Sequence, residues 1–238
     1  MNHYYITGTS RGIGKALAEI LLENEKNIVY GISRHHTIEH TNYKHFTLDL
    51  SDTGKVKEFN FLPVENGDLI ALVNNAGAIG EIMPVGKLTE DSIIDNYSVN
   101  LISPGLLINK FISFYQHYKT KKVIINISSG AGKHPIDAWS TYCASKAGLD
   151  MFTRVVAGEQ KINQGDFHVF SIAPGIFDTQ MQKEIRSANP KDFSRLNDFL
   201  DYKNNHLLNT PELVAKKIIH ILHHHEQFNE IVFSINDF

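Results

Sequence analysis

The chain has 238 residues, of which 42% are hydrophobic, and this is enough for one large α/β domain with a sizeable core. Its formal net charge of −3 at pH 7 excludes an electrostatic basis for binding nucleic acid or an anionic membrane surface. The single cysteine, Cys143, excludes an intrachain disulfide bond and favours a reducing, cytoplasmic location.

Targeting segments and metal sites are not expected from the sequence. The first ten residues lack the basic and apolar regions of a signal peptide. No apolar run approaches the roughly 18 residues that span a bilayer, so we expect no membrane partner. The 13 histidines have no cysteines or carboxylates beside them at metal-ligand spacing, so we expect no metal.

Seven short apolar segments alternate along the chain with longer amphipathic segments. The segments predicted as strands are residues 4–7, 28–32, 45–48, 69–74, 122–127, 168–172 and 230–233. The segments predicted as helices are residues 13–22, 56–61, 89–118, 141–160 and 211–223. This alternation is typical of a parallel sheet with helices on both faces. We therefore predict a single-domain α/β Rossmann fold over residues 1–238, with a doubly wound, mostly seven-stranded parallel sheet.

Residues 179–206 interrupt this alternation between the sixth predicted strand and the last predicted helix. The segment is polar and mixed in charge, with apolar residues such as Met181 and Phe199 at helical spacing. Because it follows the carboxyl end of a strand, where α/β proteins bind ligands, we predict a substrate lid. A surface helical hairpin without a role in binding is the alternative.

The first predicted strand leads into the sequence TGTSRGIG at residues 7–14, which is followed by an amphipathic helix. Glycines at such a turn let the backbone approach a pyrophosphate, and the helix N-terminus offers unbonded N–H groups. The spacing is GxxxGxG rather than GxGxxG, but its position between a strand and a helix supports a dinucleotide site. The residues predicted to bind the cofactor here are Gly8, Ser10, Arg11, Gly12, Ile13 and Gly14.

The end of the second predicted strand indicates which dinucleotide binds. An NAD-selective site has a carboxylate there for the ribose 2′-hydroxyl, whereas this chain has Ser33, Arg34 and His35. Arg34 can make a forked contact with a 2′-phosphate, Ser33 can donate a hydrogen bond to it, and Arg11 adds positive charge. We therefore predict NADPH (NADP) rather than NADH as the cofactor.

A hydroxyl, a phenol and an amine follow one another in the segment SGAGKHPIDAWSTYCASK, residues 129–146. Tyr142 and Lys146 are spaced i and i+4, which places them on one face of a helix. A phenol has a pKa of about 10, and an ammonium nearby lowers that pKa toward working pH. The segment therefore predicts that Tyr142 delivers a proton with the help of Lys146, and Ser129 lies thirteen residues before the tyrosine.

With these motifs in this order, the chain resembles the short-chain dehydrogenase/reductase family over almost its whole length. The resemblance adds Asn100, in the sequence SVN, to Ser129, Tyr142 and Lys146 as a catalytic tetrad. In the family, the serine hydrogen-bonds the substrate oxygen, the lysine also holds the nicotinamide ribose, and the asparagine supports a water that returns the proton. Ser129 is preferred to Ser128 because the family's serine-to-tyrosine gap is typically thirteen residues.

Three other motifs of the family imply further cofactor contacts. The pair Asp49-Leu50 resembles the one that contacts adenine, and the sequence NNAG at residues 74–77 resembles the motif that lines the cofactor site. The sequence PGIFDT at residues 174–179 resembles the segment that closes over the nicotinamide. The residues that the resemblance assigns to the cofactor are Asp49, Leu50, Asn75, Ala76, Gly77, Tyr142, Lys146, Pro174, Gly175, Ile176 and Thr179.

Two longer runs narrow the resemblance, WSTYCASKAGLDMFTR at residues 139–154 and PGIFDTQMQ at residues 174–182. They are similar to the sepiapterin reductase-like branch and, within it, to bacterial benzil reductases, which reduce one carbonyl of an aromatic 1,2-diketone. Sepiapterin reductases anchor the pterin with an acid near the C-terminus, and Asp237 is the one candidate for that acid in this chain.

We therefore predict an NADPH-dependent carbonyl reductase that transfers hydride to a ketone of a small, aromatic or 1,2-dicarbonyl substrate, with Tyr142 as the proton donor. Trp139 and Met181 are the predicted substrate contacts. The alternatives are a 3-oxoacyl-type ketoreductase and, from a different class, a non-catalytic NADP-sensing binding protein. Apolar residues at helical spacing in 106–118, such as Phe111 and Tyr115, indicate either core packing or the helix-pairing interface of a homo-oligomer, a dimer or tetramer.

Overall fold

The computed structural model describes residues 1–64 and 67–237 of the chain. Its strands are β1 (Asn2–Thr7), β2 (Asn27–Ser33), β3 (Tyr43–Thr47), β4 (Leu69–Asn74), β5 (Lys121–Ile127), β6 (Phe167–Ala173) and β7 (Val232–Ser234). They form one parallel sheet in the order β3-β2-β1-β4-β5-β6-β7. The strand order reverses between β1 and β4, so the sheet is doubly wound and the predicted fold class is confirmed.

Helices cover both faces of this sheet. They are α1 (Gly12–Leu22), α2 (Thr53–Glu58), α3 (Glu90–Tyr97), α4 (Ser103–Tyr115), α5 (Ser140–Ile162), α6 (Gln180–Arg186), α7 (Leu196–Asn204) and α8 (Pro211–His223). A π-helical turn, Ser98–Ile102, lies between α3 and α4. Over the two ranges that the structure describes, no helix combines the length and apolarity that crossing a membrane requires.

Alternation along the strands directs their side chains into two cores, one on each face of the sheet. In β4, Ala71 and Val73 pack in the first core with α1 and α8. Ile70 and Leu72 pack in the second core with α4 and α5. All of β4 is buried, as expected for a central strand that is covered on both faces. The two cores thereby fix the positions of the strand ends and of the loops that follow them.

The helix predicted over 56–61 is shifted toward the N-terminus, because a cap residue precedes it. The Asp52 carboxylate accepts a hydrogen bond from the backbone N–H of Lys55 at 3.0 Å and so starts α2 at Thr53. The backbone becomes extended after Glu58, and Phe61 packs in the second core instead of continuing the helix.

The helix predicted over 89–118 forms as one continuous helical stretch from Glu90 to Tyr115. The Thr89 hydroxyl caps its first part, α3, and the π-helical turn joins α3 to α4 without leaving helical backbone angles. A π-helical turn adds a residue to the helical winding and is often found at functional sites. Here it buries Asn100, so the turn lies at one of the predicted site residues.

The apolar residues at helical spacing in α4 belong to the second core. Ile108, Phe111 and Tyr115 are buried there, and Ile112 is partly buried against them. The core-packing alternative is therefore correct for these side chains. The oligomeric state stays a prediction, and an interface through this helix would have to use its other face.

Two short helices, α6 and α7, form the segment that the sequence predicts as a lid. Phe193 and Phe199 from this segment pack against Trp139 in a third apolar cluster. The backbone N–H of Ser194 donates to the Asp137 carboxylate at 2.7 Å. The segment is therefore packed against the loop that precedes α5, and its opening and closing as a lid stay a prediction.

Candidate active site

A cleft of about 1520 Å³ lies at the carboxyl edge of the sheet. Residues at or just after the ends of β1 to β7 form its wall, because parallel strands bring these ends to one edge. All of the predicted cofactor, substrate and catalytic residues line this cleft, except Gly14 and Asn100. The sheet thus brings together side chains that are far apart in the sequence.

The loop after β1 forms one wall of the cleft, and its shape depends on Gly8. The φ angle of Gly8 is +77°, and a Cβ there would lie 3.0 Å from Cα of Ala76. The Asn75 side chain donates to the carbonyl of Thr7 at 2.9 Å and joins the loop after β4 to this loop. Gly14 lies behind the cleft wall, where a Cβ would be 2.4 Å from Nδ2 of Asn75, so packing requires glycine there.

The N-terminus of α1 faces the same end of the cleft. Within the described ranges, no side chain caps this helix and no acid lies in its first turn. Its first N–H groups can therefore bind an anion, with the helix dipole favouring negative charge. Ser10, Arg11 and Gly12 line the cleft at this point. The arrangement fits the pyrophosphate of a dinucleotide cofactor.

Arg34 and Ser33 lie where the cleft meets the ends of β2 and β3. The Arg34 guanidinium is exposed, and its Nη1 lies 3.9 Å from Oδ2 of Asp49. The Ser33 hydroxyl donates to the carbonyl of His35 at 2.9 Å. Arg34 is therefore available to a 2′-phosphate, whereas Ser33 has to exchange its hydrogen bond to contact one.

Ser129, Tyr142 and Lys146 meet in the cleft at the ends of β5 and α5. The Lys146 amine donates to the carbonyl of Ile127 at 2.8 Å and lies 5.8 Å from the centroid of the Tyr142 ring. The Ser129 side chain is close enough to the Tyr142 phenol to lower its pKa, and its Oγ accepts a hydrogen bond from the backbone N–H of Ala131 at 3.2 Å. The Ser128 hydroxyl has no hydrogen-bond partner among the described residues. This geometry favours Ser129 over Ser128 as the serine of the site.

Burial shifts the pKa values of the tyrosine and the lysine in opposite directions. It raises the pKa of Tyr142 to about 12, although the interaction with Ser129 opposes the rise. It lowers the pKa of Lys146 to about 8, although the charge of Asp150 opposes the fall. The expectation that Lys146 brings the pKa of Tyr142 below its usual value is therefore wrong for this structure, because burial is the largest cause of the shift and raises that pKa.

Asn100 lies behind the cleft, in the π-helical turn. Its side chain accepts a hydrogen bond from the N–H of Ala78 at 3.0 Å and donates to the carbonyl of Ala78 at 2.8 Å. A Cβ on Gly77 would lie 3.3 Å from Oδ1 of Asn100 and 3.5 Å from Nζ of Lys146. Both atoms thus border the space that Gly77 leaves open by having no side chain, and the water relay between them stays a prediction.

Asn96, one turn before Asn100, is a further buried amide for which the sequence offers no family motif. Its Nδ2 donates to the carbonyls of Ala78 and Ile79 at 3.1 and 3.0 Å. Its Oδ1 accepts from Nδ2 of Asn100 at 3.0 Å and from Oγ of Ser145 at 3.3 Å. The amide thereby ties α3 to α5 and to the loop after β4. The i, i+4 spacing of the two asparagines is the one sequence signal that could have indicated it.

Beside the phenol lies an aromatic cluster that we define as Trp139, Phe193, Phe199 and Tyr202, of which all but Phe193 line the cleft. Trp139 stacks on Phe193 with ring centroids 5.6 Å apart, and it meets the Tyr142 ring edge-on at the same distance. Met181, the other predicted substrate contact, lines the cleft and packs against this cluster. The cluster places apolar rings next to the phenol.

Comparison with known proteins agrees with this geometry. The sequence profile of the family described as short chain dehydrogenase matches residues 2–190. The chain belongs to this family. Its members are oxidoreductases that use a nicotinamide cofactor, NAD(P)H.

Individual relatives place the chain within the family. A benzil reductase ((S)-benzoin forming) from Bacillus cereus is 38% identical, over 93% of this chain and 94% of the relative. One of the same name from Bacillus subtilis is 34% identical, over 100% of both chains. The crystal structure of the KRED1-Pglu enzyme superposes with a TM-score of 0.81 at 26% identity, over 94% of this chain and 95% of the other. Sepiapterin reductases also match, so the predicted family and branch are confirmed.

Proposed function

We propose that this chain is an NADPH-dependent carbonyl reductase that acts on small aromatic or 1,2-dicarbonyl substrates, with Tyr142 as the proton donor. The observation that carries this proposal is the convergence of Ser129, Tyr142 and Lys146 in one cleft beside the aromatic cluster. The two bacterial relatives, which are benzil reductases, support the same substrate class. A cytoplasmic location and a homo-oligomeric state belong to the proposal.

The chain's own residues protonate the substrate oxygen. The Tyr142 hydroxyl donates its proton to the carbonyl oxygen, and the Ser129 hydroxyl donates a hydrogen bond to the same oxygen. Lys146, which is held by the carbonyl of Ile127, stabilises the phenolate that remains. A bound nicotinamide supplies the hydride to the carbon. Asn100 holds the loop behind Lys146, on the side from which water returns the proton.

The pKa of Tyr142 indicates its protonation state before the reaction. A phenol with a pKa of about 12 carries its proton at neutral pH, which is the state that a proton donor needs. Oxidation of an alcohol would need the phenolate at the start of the reaction. Tyr142 is therefore protonated before the reaction, as a proton donor must be, and its raised pKa also makes it a weaker acid than a free phenol.

The proposed preference for NADPH depends on charge at the ends of β1 and β2. Arg11 and Arg34 both line the cleft there. The β2 strand ends at Ser33 without the carboxylate that would bind a ribose 2′-hydroxyl and repel a 2′-phosphate. Asp49 lies close enough to Arg34 to orient the guanidinium, while its other oxygen accepts from Ser51.

The direct experiment follows NADPH oxidation with benzil, sepiapterin and an acetoacetyl thioester, in the wild type and in Tyr142→Phe. We expect turnover of the aromatic diketone by the wild type and a loss of at least roughly 10²-fold in Tyr142→Phe, with NADPH binding retained. Tyr118→Phe, which removes a phenol outside the cleft, is the matched control and should keep full activity.

The other outcomes separate the alternatives. Turnover of the thioester without turnover of the diketone would indicate a 3-oxoacyl-type ketoreductase. NADPH binding without turnover of any of the three would indicate a non-catalytic sensing protein. Full activity in Tyr142→Phe would refute the assignment of the proton donor.

A further inference from the structure

A buried carboxylate that has no role in the mechanism above lies one helical turn beyond Lys146. Asp150 is 7% exposed and Lys146 is 3% exposed, and both belong to α5. Residues spaced i and i+4 on a helix have Cβ atoms about 5–6 Å apart. Because a buried carboxylate is costly unless it is compensated, its place one helical turn from a buried amine points to a function.

Contacts from two elements, β6 and the turn after β5, fix the Asp150 carboxylate. The Ser171 hydroxyl on β6 donates to its Oδ1 at 2.6 Å. A Cβ on Gly132 would lie 3.0 Å from its Oδ2 and 3.0 Å from the backbone carbon of Lys146, so the turn after β5 packs closely on both residues. Arg154, the charged residue one turn further along α5, is exposed. The carboxylate is therefore held in place by an uncharged donor and by packing.

The other groups around the Lys146 amine carry no negative charge at neutral pH. Strand β5 contributes the carbonyl of Ile127, and the π-helical turn contributes the uncharged Asn100 across Gly77. Helix α5 itself contributes the phenol of Tyr142, which is protonated. The charge of Asp150 acts on the amine across one turn of the helix, and it raises the pKa of Lys146 against the effect of burial.

We propose that Asp150 is a positioning residue that acts through Lys146, and that its fixed negative charge keeps the buried amine protonated. Without this charge, burial would favour the neutral amine, which cannot stabilise the tyrosine phenolate. The consequence for turnover rests on the proposed function. The effect on the amine requires neither substrate nor cofactor, so it can be measured separately.

The test measures the titration of Lys146 by NMR in the cofactor-free protein, with lysines labelled with ¹³C at Cε. Comparison with the spectrum of Lys146→Met assigns the signal. In Asp150→Asn, which keeps the side-chain shape and an oxygen for the Ser171 hydroxyl, we expect the pKa of Lys146 to fall by about one unit. Glu159→Gln removes an exposed carboxylate from the same helix and should leave that pKa unchanged.

A kinetic measurement adds a readout that a merely structural role would not change. In Asp150→Asn, the alkaline limb of the pH profile of kcat should move to lower pH by the same amount as the NMR titration, with KM for NADPH unchanged. Asp150→Ser, a second neutral variant, should give the same shifts. Equal pKa values for Lys146 in the wild type and in both variants would overturn the inference. A shifted titration in a protein that reduces no carbonyl would instead refute the proposed function and leave the inference intact.

Discussion

Tyr142 and Lys146 owe their chemical states to burial more than to each other. The phenol loses the water that would solvate its anion, so its pKa rises to about 12. The amine loses the water that would solvate its cation, so its pKa falls to about 8. At neutral pH both groups still carry their protons, which is the combination that a proton donor and its supporting cation require.

Burying the charged Lys146 amine costs free energy, so the difference in stability between the wild type and Lys146→Met should depend on pH. At pH 7 the lysine is charged in both the folded and the unfolded protein, and the folded state bears the full cost. Between about 8 and the ordinary pKa of 10.5, the folded state loses its proton first, so the cost disappears as pH rises. From pH 7 to 9.5, the wild type should gain roughly 2 kcal/mol relative to Lys146→Met. Urea unfolding at several pH values measures this difference, and a constant difference would contradict the lowered pKa.

The Arg34 guanidinium predicts which cofactor is preferred. Arg34→Asp places a negative charge where a 2′-phosphate would bind, so kcat/KM for NADPH should fall by at least about 10-fold while that for NADH is kept. The ratio of the two kcat/KM values is the measurement. Arg154→Asp, at an exposed position on α5, makes the same charge change outside the cleft and should leave the ratio unaltered. An unaltered ratio in Arg34→Asp would exclude this residue as the phosphate contact.

At the scale of elements, α6 and α7 are connected to the rest of the molecule by ion pairs at several points. Lys203 on α7 pairs with Asp178 at 2.5 Å, in the segment that follows β6. Asp192, between the two helices, pairs with Lys87 in the loop after β4 at 2.5 Å. Three of these four side chains are substantially exposed to solvent, so the pairs contribute little to stability. Buried packing of Phe193 and Phe199 against Trp139 holds the two helices in place, so α6 and α7 help to shape this end of the cleft.

The aromatic cluster predicts a preference for aromatic over aliphatic diketones. Phe199→Leu keeps an apolar side chain of similar size but removes a ring face, so KM for an aromatic diketone should rise about 3–10-fold. KM for an aliphatic diketone should stay the same. Leu200→Ala, at the exposed neighbouring position on α7, is the matched control. Equal effects on both substrates would indicate that Phe199 supports the fold without contacting substrate.

At the scale of the whole molecule, exposed apolar residues on α4 and α5 mark a candidate homo-oligomer interface. Met151 and Val155 are 59% and 51% exposed on α5, spaced i and i+4, and Phe114 on α4 is 39% exposed. They are not the residues of α4, such as Phe111 and Tyr115, that the sequence pattern indicated as a possible interface, because those are buried in the core. The outer face of the two helices is therefore the surface on which we expect a second copy to pack.

The interface prediction is tested by light scattering. Met151→Lys combined with Val155→Lys places two charges in the expected contact, so the measured mass should fall to that of one chain. Ile162→Lys, at the exposed C-terminal end of α5, should not change the mass. An oligomer that survives the double substitution would place the interface elsewhere.

Local spacing in the sequence was sufficient to determine the order of strands and helices, the glycine loop and the Tyr142–Lys146 pair. Each of these depends on residues close together in the chain, so periodicity and turn chemistry specify them. The helix predicted over 89–118 forms, but the π-helical turn inside it could not be predicted, because its residues have an ordinary helical pattern.

Only the tertiary structure decided which distant residues share the site and what states they adopt. The hydrogen bonds of Asn96 to Ser145, the contact of Ser171 with Asp150, and the stacking of Phe193 on Trp139 all join separate elements. The direction of the pKa shift of Tyr142 also depends on the removal of water by these contacts. Sequence spacing indicates which groups can lie close together. Only the folded chain determines how much water is removed from those groups, and therefore how far their pKa values shift.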